Sequence, residues 1–213
     1  MRINANNYFF VRRVIIVMIF LYKSDMTMPR ELSNIGKKVA LYAIKTAFGY
    51  DVSAKNVLKN KYGKPYLTYS NAFFNISHEK GLVGCAVSEN EVGFDITGTR
   101  KFKSNCINRL FSDKEVTVAK NNTDFAALWA IKESYYKCLG TGLSINNLNA
   151  LDFSDILIGR RGIINGKLIN YQTIEDYYIA ICKNNSNDSI AVEEIKFVSD
   201  NDLLTVEVAS DIW

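Results

Sequence analysis

Ala127-Leu128-Trp129-Ala130-Ile131-Lys132-Glu133-Ser134-Tyr135-Tyr136-Lys137 is the stretch on which the reading of this chain turns. Its apolar residues recur at helical spacing, Thr123 can cap the start, and Gly140 can close the end. Trp129, Glu133 and Lys137 share one face of that helix, with Lys132 and Tyr136 beside it. The plain interpretation of Glu133 and Lys137 is a surface ion pair worth ~0.3 kcal/mol. Trp129 on the same stripe argues for a partly buried face. A carboxylate there needs a partner, and a metal ion would serve.

The first six of these residues have an echo in Ala40-Leu41-Tyr42-Ala43-Ile44-Lys45. Each copy follows an apolar strand-like run, near residues 14–22 and 92–96. Each precedes a β-rich stretch, Leu82 to Val87 in one case and Tyr177 to Cys182 in the other. Helical cores draw on a small alphabet, so six residues alone prove little. The matching order of elements carries the expectation: an α+β fold of two similar lobes related by a pseudo-twofold, divided into residues 1–91 and 92–213. A cleft between such lobes is a natural ligand site.

Around this frame, helix is expected over 35–48, ended by Gly49, after a helix start at Pro29 to Asn34. Phe73 to Ser77 and Gly81 to Val87 read as strands joined by His78-Glu79-Lys80. Lys101 to Phe111 reads as helix, and Ser112-Asp113-Lys114-Glu115 as a capping box opening the next. Asn165-Gly166 reads as a hairpin turn, and residues 184–189 as a polar loop.

Composition narrows the chemistry. The four cysteines are widely spaced with no C-x-x-C pair, which argues against a zinc site or disulfide framework and fits a reducing compartment. His78 is the single histidine, so a multi-histidine metal site is excluded while a Ser-His-Asp hydrolase stays formally open. Residues 1–90 carry 13 Lys/Arg against 5 Asp/Glu, and residues 91–213 carry 13 against 17. A basic half facing an acidic half suits an anionic ligand and a cation, although ordinary solvated surface reads the same way. The apolar run Val14 to Tyr22 is too short to span a bilayer and lacks a small-residue cleavage site, so a buried strand and a cytoplasmic location are expected.

Gly93-Phe94-Asp95-Ile96-Thr97 supplies a second carboxylate. In a half-buried strand the Asp95 side chain lies opposite Phe94 and Ile96. Aspartate is a poor strand former, which favours a specific role.

The pair G-F-D-I-T and W-x-x-K-E-S-x-x-K resembles the signature of 4′-phosphopantetheinyl transferases of the single-chain Sfp type. Tyr62-Gly63-Lys64-Pro65, Phe74-Asn75-Ile76-Ser77-His78, Phe111-Ser112-x-x-Glu115 and Gly140-Thr141-Gly142-Leu143-Ser144 resemble four further blocks in the same order. The resemblance runs from about residue 36 to beyond residue 150, with a weaker likeness near Val192 to Leu204. It implies transfer of the phosphopantetheine arm of coenzyme A to a serine of an apo acyl or peptidyl carrier protein, releasing adenosine 3′,5′-bisphosphate. It implies Mg²⁺ (or Mn²⁺) held by Asp95 and Glu133, and a monomer that needs neither nucleic acid nor membrane. It implies that Lys137 contacts the diphosphate with help from Lys132, and that Lys64, Ser77 and His78 hold the adenine and 3′-phosphate end. Glu115 matches the glutamate proposed to take the serine proton, with a metal-bound water as the competing base. The capping box is its bland alternative.

Two departures stand out. Thr97 replaces the second acid of the family's D-x-E motif, and the segment before Gly36 is short, with Arg30, Lys37 and Lys38 as candidate 3′-phosphate contacts. These motivate a second hypothesis, a non-catalytic relative that binds coenzyme A or a carrier. A nucleic-acid module rests only on the basic first half and lacks a motif.

Overall fold

The computed structural model describes residues 16–52, 56–68, 70–143, 148–184 and 192–206. The polar loop expected after 184 and the end of the Gly140–Ser144 block fall outside them. The architecture is α+β. The first apolar run forms β1 (Ile16–Lys23), followed by α1 (Pro29–Phe48). Helix start and helix merge into one 20-residue element, because proline at its first position has no N–H to lose and a φ already helical. β4 (Phe73–Glu79) and β5 (Leu82–Ser88) come next, after a short hairpin of β2 (Val57–Lys59) and β3 (Pro65–Leu67). The second half opens with β6 (Val92–Gly98). α2 (Ser104–Leu110), α3 (Asp113–Val118) and α4 (Asn122–Leu139) follow. α5 (Ser154–Gly159), β7 (Arg161–Ile164), β8 (Lys167–Ile174) and β9 (Tyr177–Asn184) come after them, and β10 (Val192–Phe197) and α6 (Asp200–Leu204) end the described chain.

The strands make two four-stranded sheets, ordered β10-β1-β5-β4 and β6-β9-β8-β7, plus the β2-β3 hairpin. In the first, β5 pairs antiparallel with both β1 and β4. In the second, β9 pairs antiparallel with both β6 and β8. With the β2-β3 hairpin, the shorter helices and the edge strand β7 set aside, the order strand, helix, strand, strand occurs twice, and the last strand lies between the other two each time. The division at residue 91/92 needs one correction. β10 pairs parallel with β1, and Leu203 of α6 packs into the core beneath α1, so the end of the described chain belongs with the first sheet. The cause is local: Val198 donates its N–H to Leu21 O and continues the β1 edge.

Side-chain alternation builds the layers. Along β1, Val17, Ile19 and Leu21 face one core, while Phe20 faces the core under α1. Along β9, Ile179 and Ile181 join Val17, Ile19 and Leu21, while Ala180 and Cys182 face α4. The two sheets thus pack on each other, with α1 outside one and α4 outside the other. Each aliphatic side chain sealed between them stabilises by about 1.5–3 kcal/mol. β6 is buried on both faces, which places Phe94 and Ile96 between the sheets and turns Gly93, Asp95 and Thr97 toward α4.

Gly93 sets the distance between strand and helix. A Cβ there would lie 1.9 Å from Ser134 O and 2.3 Å from Cys138 N, both backbone atoms that cannot swing aside. Gly93→Ala is expected to cost about 3 kcal/mol or more and to displace α4. A urea titration in which this variant matches the wild type would refute the close approach.

Three boundaries differ from expectation. The strand β4 runs through His78 and Glu79, leaving Lys80-Gly81 as the turn, because His78 and Glu79 keep the pairing with Val83 and Leu82. Asn121, not Thr123, caps α4: its Oδ1 accepts from the N–H groups of Thr123 and Asp124. Helix α2 starts at Ser104, not near Lys101. The Asn165-Gly166 turn is as expected, with φ of 48° and 72° suited to a two-residue hairpin loop.

Candidate active site

Asp95, on the α4-facing side of β6, is the centre of a buried polar cluster. Its Oδ1 accepts from Lys137 Nζ at 2.6 Å and from Ser77 Oγ at 2.8 Å, and its Oδ2 accepts from Thr97 Oγ1 at 2.7 Å. Lys137 also donates to Ser77 Oγ at 3.1 Å and lies 3.9 Å from Glu133 Oε2. The helical spacing of Glu133 and Lys137 aims both at β6, and the αL conformation of Gly140 ends the helix one turn later. One ammonium thus stands between two carboxylates from different elements.

The electrostatics are unbalanced. Burial, and then the charge of Asp95, push the Glu133 carboxyl up to about 7, against the pull of Lys137 and Arg100. Burial, and then the charge of Lys137, hold the half-buried His78 below its ordinary value. Glu133 binds its proton more tightly folded than unfolded, so it costs the fold stability above pH 7 and returns it as the pH falls toward 4.5. In chelator, the stability of Glu133→Gln relative to wild type is expected to be higher at pH 8 than at pH 5 by about 2–3 kcal/mol. A pH-independent difference in urea midpoints would contradict this.

The donor set fits a hard divalent cation. Asp95 and Glu133 supply carboxylates, with the hydroxyls of Thr97 and Ser77 beside them. Among the described residues no group of three or more His, Cys, Asp or Glu could cage a metal by itself. Two carboxylates completed by substrate phosphate oxygens and water are the usual arrangement for Mg²⁺ rather than for an all-protein site. Thr97 orients Asp95 as a hydrogen-bond donor instead of supplying a second negative charge.

A cleft of about 270 Å³ opens beside the cluster, lined by Lys64, Asn75, Glu133, Tyr136, Lys137 and Gly140 among others. Lys64 reaches it from the β2-β3 hairpin, where its ammonium lies 3.3 Å from Glu91 Oε2, Val92 O and Cys138 O. Asn60 Nδ2 donates to Gly140 O at 2.8 Å and ties the same hairpin to the end of α4. The structure therefore brings together Ser77, Asp95, Glu133 and Lys137, with His78 adjacent in β4 and Lys64 across the cleft.

Glu115 and Lys132, expected at the site, lie apart from the cleft. Each side chain has zero exposure, and they pair at 2.8 Å inside the core around α4. Lys132 also donates to Leu148 O and Leu151 O and lies over the Phe153 ring, so its three N–H groups are spent. Glu115 accepts from Ser112 N, as the capping box requires, and from Phe153 N at 2.8 Å. Burial pushes Glu115 up and Lys132 down, and each charge pulls the other back. Neither lines the cleft: Lys132 points away from Lys137 because helix positions five residues apart diverge by about 140°.

Sequence reasoning missed a seam between the sheets. Asn75 Oδ1 accepts from Phe94 N at 3.0 Å, Ser77 Oγ from Ile96 N at 3.2 Å, and Glu79 Oε2 from Gly98 N at 3.4 Å. Alternate side chains of β4 thus stand in for the carbonyls of a neighbouring strand along the free edge of β6. Glu79 also pairs with Arg100. The signal was the 75, 77, 79 alternation, hidden by ending the strand at Ser77.

Residues 91–185, which hold Asp95, Glu133 and Lys137, match the model of the 4′-phosphopantetheinyl transferase superfamily. A 4′-phosphopantetheinyl transferase of Bacillus subtilis is 30% identical over 164 residues, 70% of this chain and 71% of the relative. The 4′-phosphopantetheinyl transferase Sfp of Bacillus subtilis (strain 168) is 28% identical over 80% of each chain. The 4′-phosphopantetheinyl transferase gsp of Aneurinibacillus migulanus is 36% identical over 103 residues, so the chain spans less than half of that relative, 43% of its length. The superfamily match falls on the strand and helix that carry both carboxylates, and the longer alignments extend it across most of the fold; the chain belongs to the 4′-phosphopantetheinyl transferase family.

Proposed function

We propose that this cleft transfers the 4′-phosphopantetheine group of coenzyme A to a serine of an apo acyl or peptidyl carrier protein, releasing adenosine 3′,5′-bisphosphate. The observation that carries it is the Asp95–Lys137–Glu133 cluster, whose Lys137 and Glu133 line the cleft. Two carboxylates and an ammonium are what a diphosphate and its divalent cation require. Asp95 and Glu133 would hold Mg²⁺ (Mn²⁺ being an equivalent oxygen-seeking ion). When bound, it neutralises the charge that grows on the leaving bisphosphate.

The chain's own residues do the rest. Ser77 and Thr97 fix the Asp95 carboxylate by donating to its two oxygens. Lys137, now on Asp95, would turn part of its hydrogen bonding to the diphosphate. Lys64, bracketing the hairpin to the end of α4, and His78 on β4 hold the nucleotide end. Core packing by the Glu115–Lys132 pair keeps α4 and the 148–153 segment in place, so Glu115 is a buttress and not the serine's proton acceptor.

We read the two halves as lobes related by a pseudo-twofold, meeting at β4 and β6; the twice-used strand–helix–strand–strand order supports this. A chain that already holds both lobes is expected to act as a monomer. The Sfp-like length leans this reading toward carriers of secondary metabolism. No described helix is long and apolar enough to cross a membrane.

Release of adenosine 3′,5′-bisphosphate from coenzyme A tests the reading. It is expected only when Mg²⁺ and an apo carrier are both present. Release at the same rate without a carrier, or none with several diverse carriers, would overturn it.

A further inference from the structure

The β4 seam contains one rung unlike the others. Ser77 is fully engaged, accepting from Ile96 N and Lys137 while donating to Asp95. Glu79 is engaged by Gly98 N and Arg100. Asn75 spends only its carbonyl oxygen, on Phe94 N. That contact fixes the amide, because the oxygen must face the N–H, and so it also fixes where the NH₂ group lies. The NH₂ group has no acceptor among the described residues, although Asn75 is only 4% exposed. Buried amide donors are otherwise nearly always satisfied. Asn75 lines the cleft, as do Lys64 and Lys137.

We infer that Asn75 is a further ligand-contacting residue: its carbonyl pins the strand next to Asp95, and its NH₂ group donates to a phosphate oxygen of the bound coenzyme A. A neutral donor set among two ammonium groups suits an anionic oxygen, which accepts several hydrogen bonds at once. The inference rests on the proposed function, since it takes coenzyme A as the ligand. It also explains why this position carries an amide where a serine could have accepted from the strand, as Ser77 does.

Asn75→Asp separates the two roles. It keeps an oxygen for the Phe94 N–H and replaces the NH₂ group with a second, negative oxygen facing the ligand. Asn75→Ala removes both contacts. Calorimetry with coenzyme A and Mg²⁺ should show Asn75→Asp binding at least ~10-fold more weakly than wild type. Its thermal unfolding should stay closer to wild type than that of Asn75→Ala. Wild-type affinity in Asn75→Asp would overturn the ligand contact, and unfolding as early as Asn75→Ala would overturn the division of labour. Absence of coenzyme A binding by the wild type itself would instead sink the functional reading, and this inference with it.

Discussion

Lys132→Met is expected to destabilise the protein by about 3–5 kcal/mol. The substitution keeps the volume and the apolar stem but removes an ammonium that has no exposure and meets Glu115 at 2.8 Å. Glu115 would then be a buried carboxylate without its counter-charge, still gripped by the N–H groups of Ser112 and Phe153. The carbonyls of Leu148 and Leu151 would lose their donor as well. Desolvation of an unpaired charge dominates that sum, because no solvent reaches the site to screen it. Lys132→Met combined with Glu115→Gln should recover much of the loss, since a neutral amide needs no counter-charge. Urea midpoints of the two singles and the double measure the coupling. A single-variant loss below about 1 kcal/mol would mean that the pair is open to water. Such a result would restore both residues as candidates for chemistry.

Glu133→Ala is expected to lower transfer roughly a thousandfold or more while leaving the fold intact. The residue lies on α4, lines the cleft and has its carboxyl 3.9 Å from Lys137. Its removal leaves Asp95 as the sole carboxylate in the cluster and leaves Lys137 fully paired to it at 2.6 Å. A cation would then have half of its protein charge, and the lysine would have less reason to turn toward a diphosphate. Steady-state rates at saturating Mg²⁺, with circular dichroism on the same samples, decide the matter. A near-normal rate would remove Glu133 from the site.

Much of this architecture is readable from residue order because its causes are local. Gly49 and Gly140 end their helices in the left-handed conformation, Ser112 and Glu115 close a capping box, and Asn165-Gly166 turns a hairpin. The alternation around Asp95 turned that side chain away from Phe94 and Ile96, as period two requires. Glu133 and Lys137 fell on the Asp95 side of α4 because helical spacing puts them there. What escaped was long-range. The return of β10 to β1 depends on where a third layer leaves an open edge, and residues 192–197 carry no sign of their partner. Lys132 and Lys137 look equivalent in a motif, yet one faces the core and the other the cleft. Only the packing of Phe111 and Phe153 around Lys132 tells them apart. The seam at Asn75, Ser77 and Glu79 pairs side chains with a backbone, a contact that leaves no hydrophobic pattern to read.

If the Asp95–Glu133–Lys137 cluster serves phosphopantetheine transfer, the intact mass of the carrier reports it. Purified protein, coenzyme A, Mg²⁺ and a panel of apo carrier proteins should yield carriers heavier by one phosphopantetheine group, attached at serine. The gain should vanish with chelator and with Glu133→Ala. An unchanged carrier mass across the panel at ample Mg²⁺, with coenzyme A still bound, would contradict the account and identify the chain as a coenzyme A-binding relative without transferase activity.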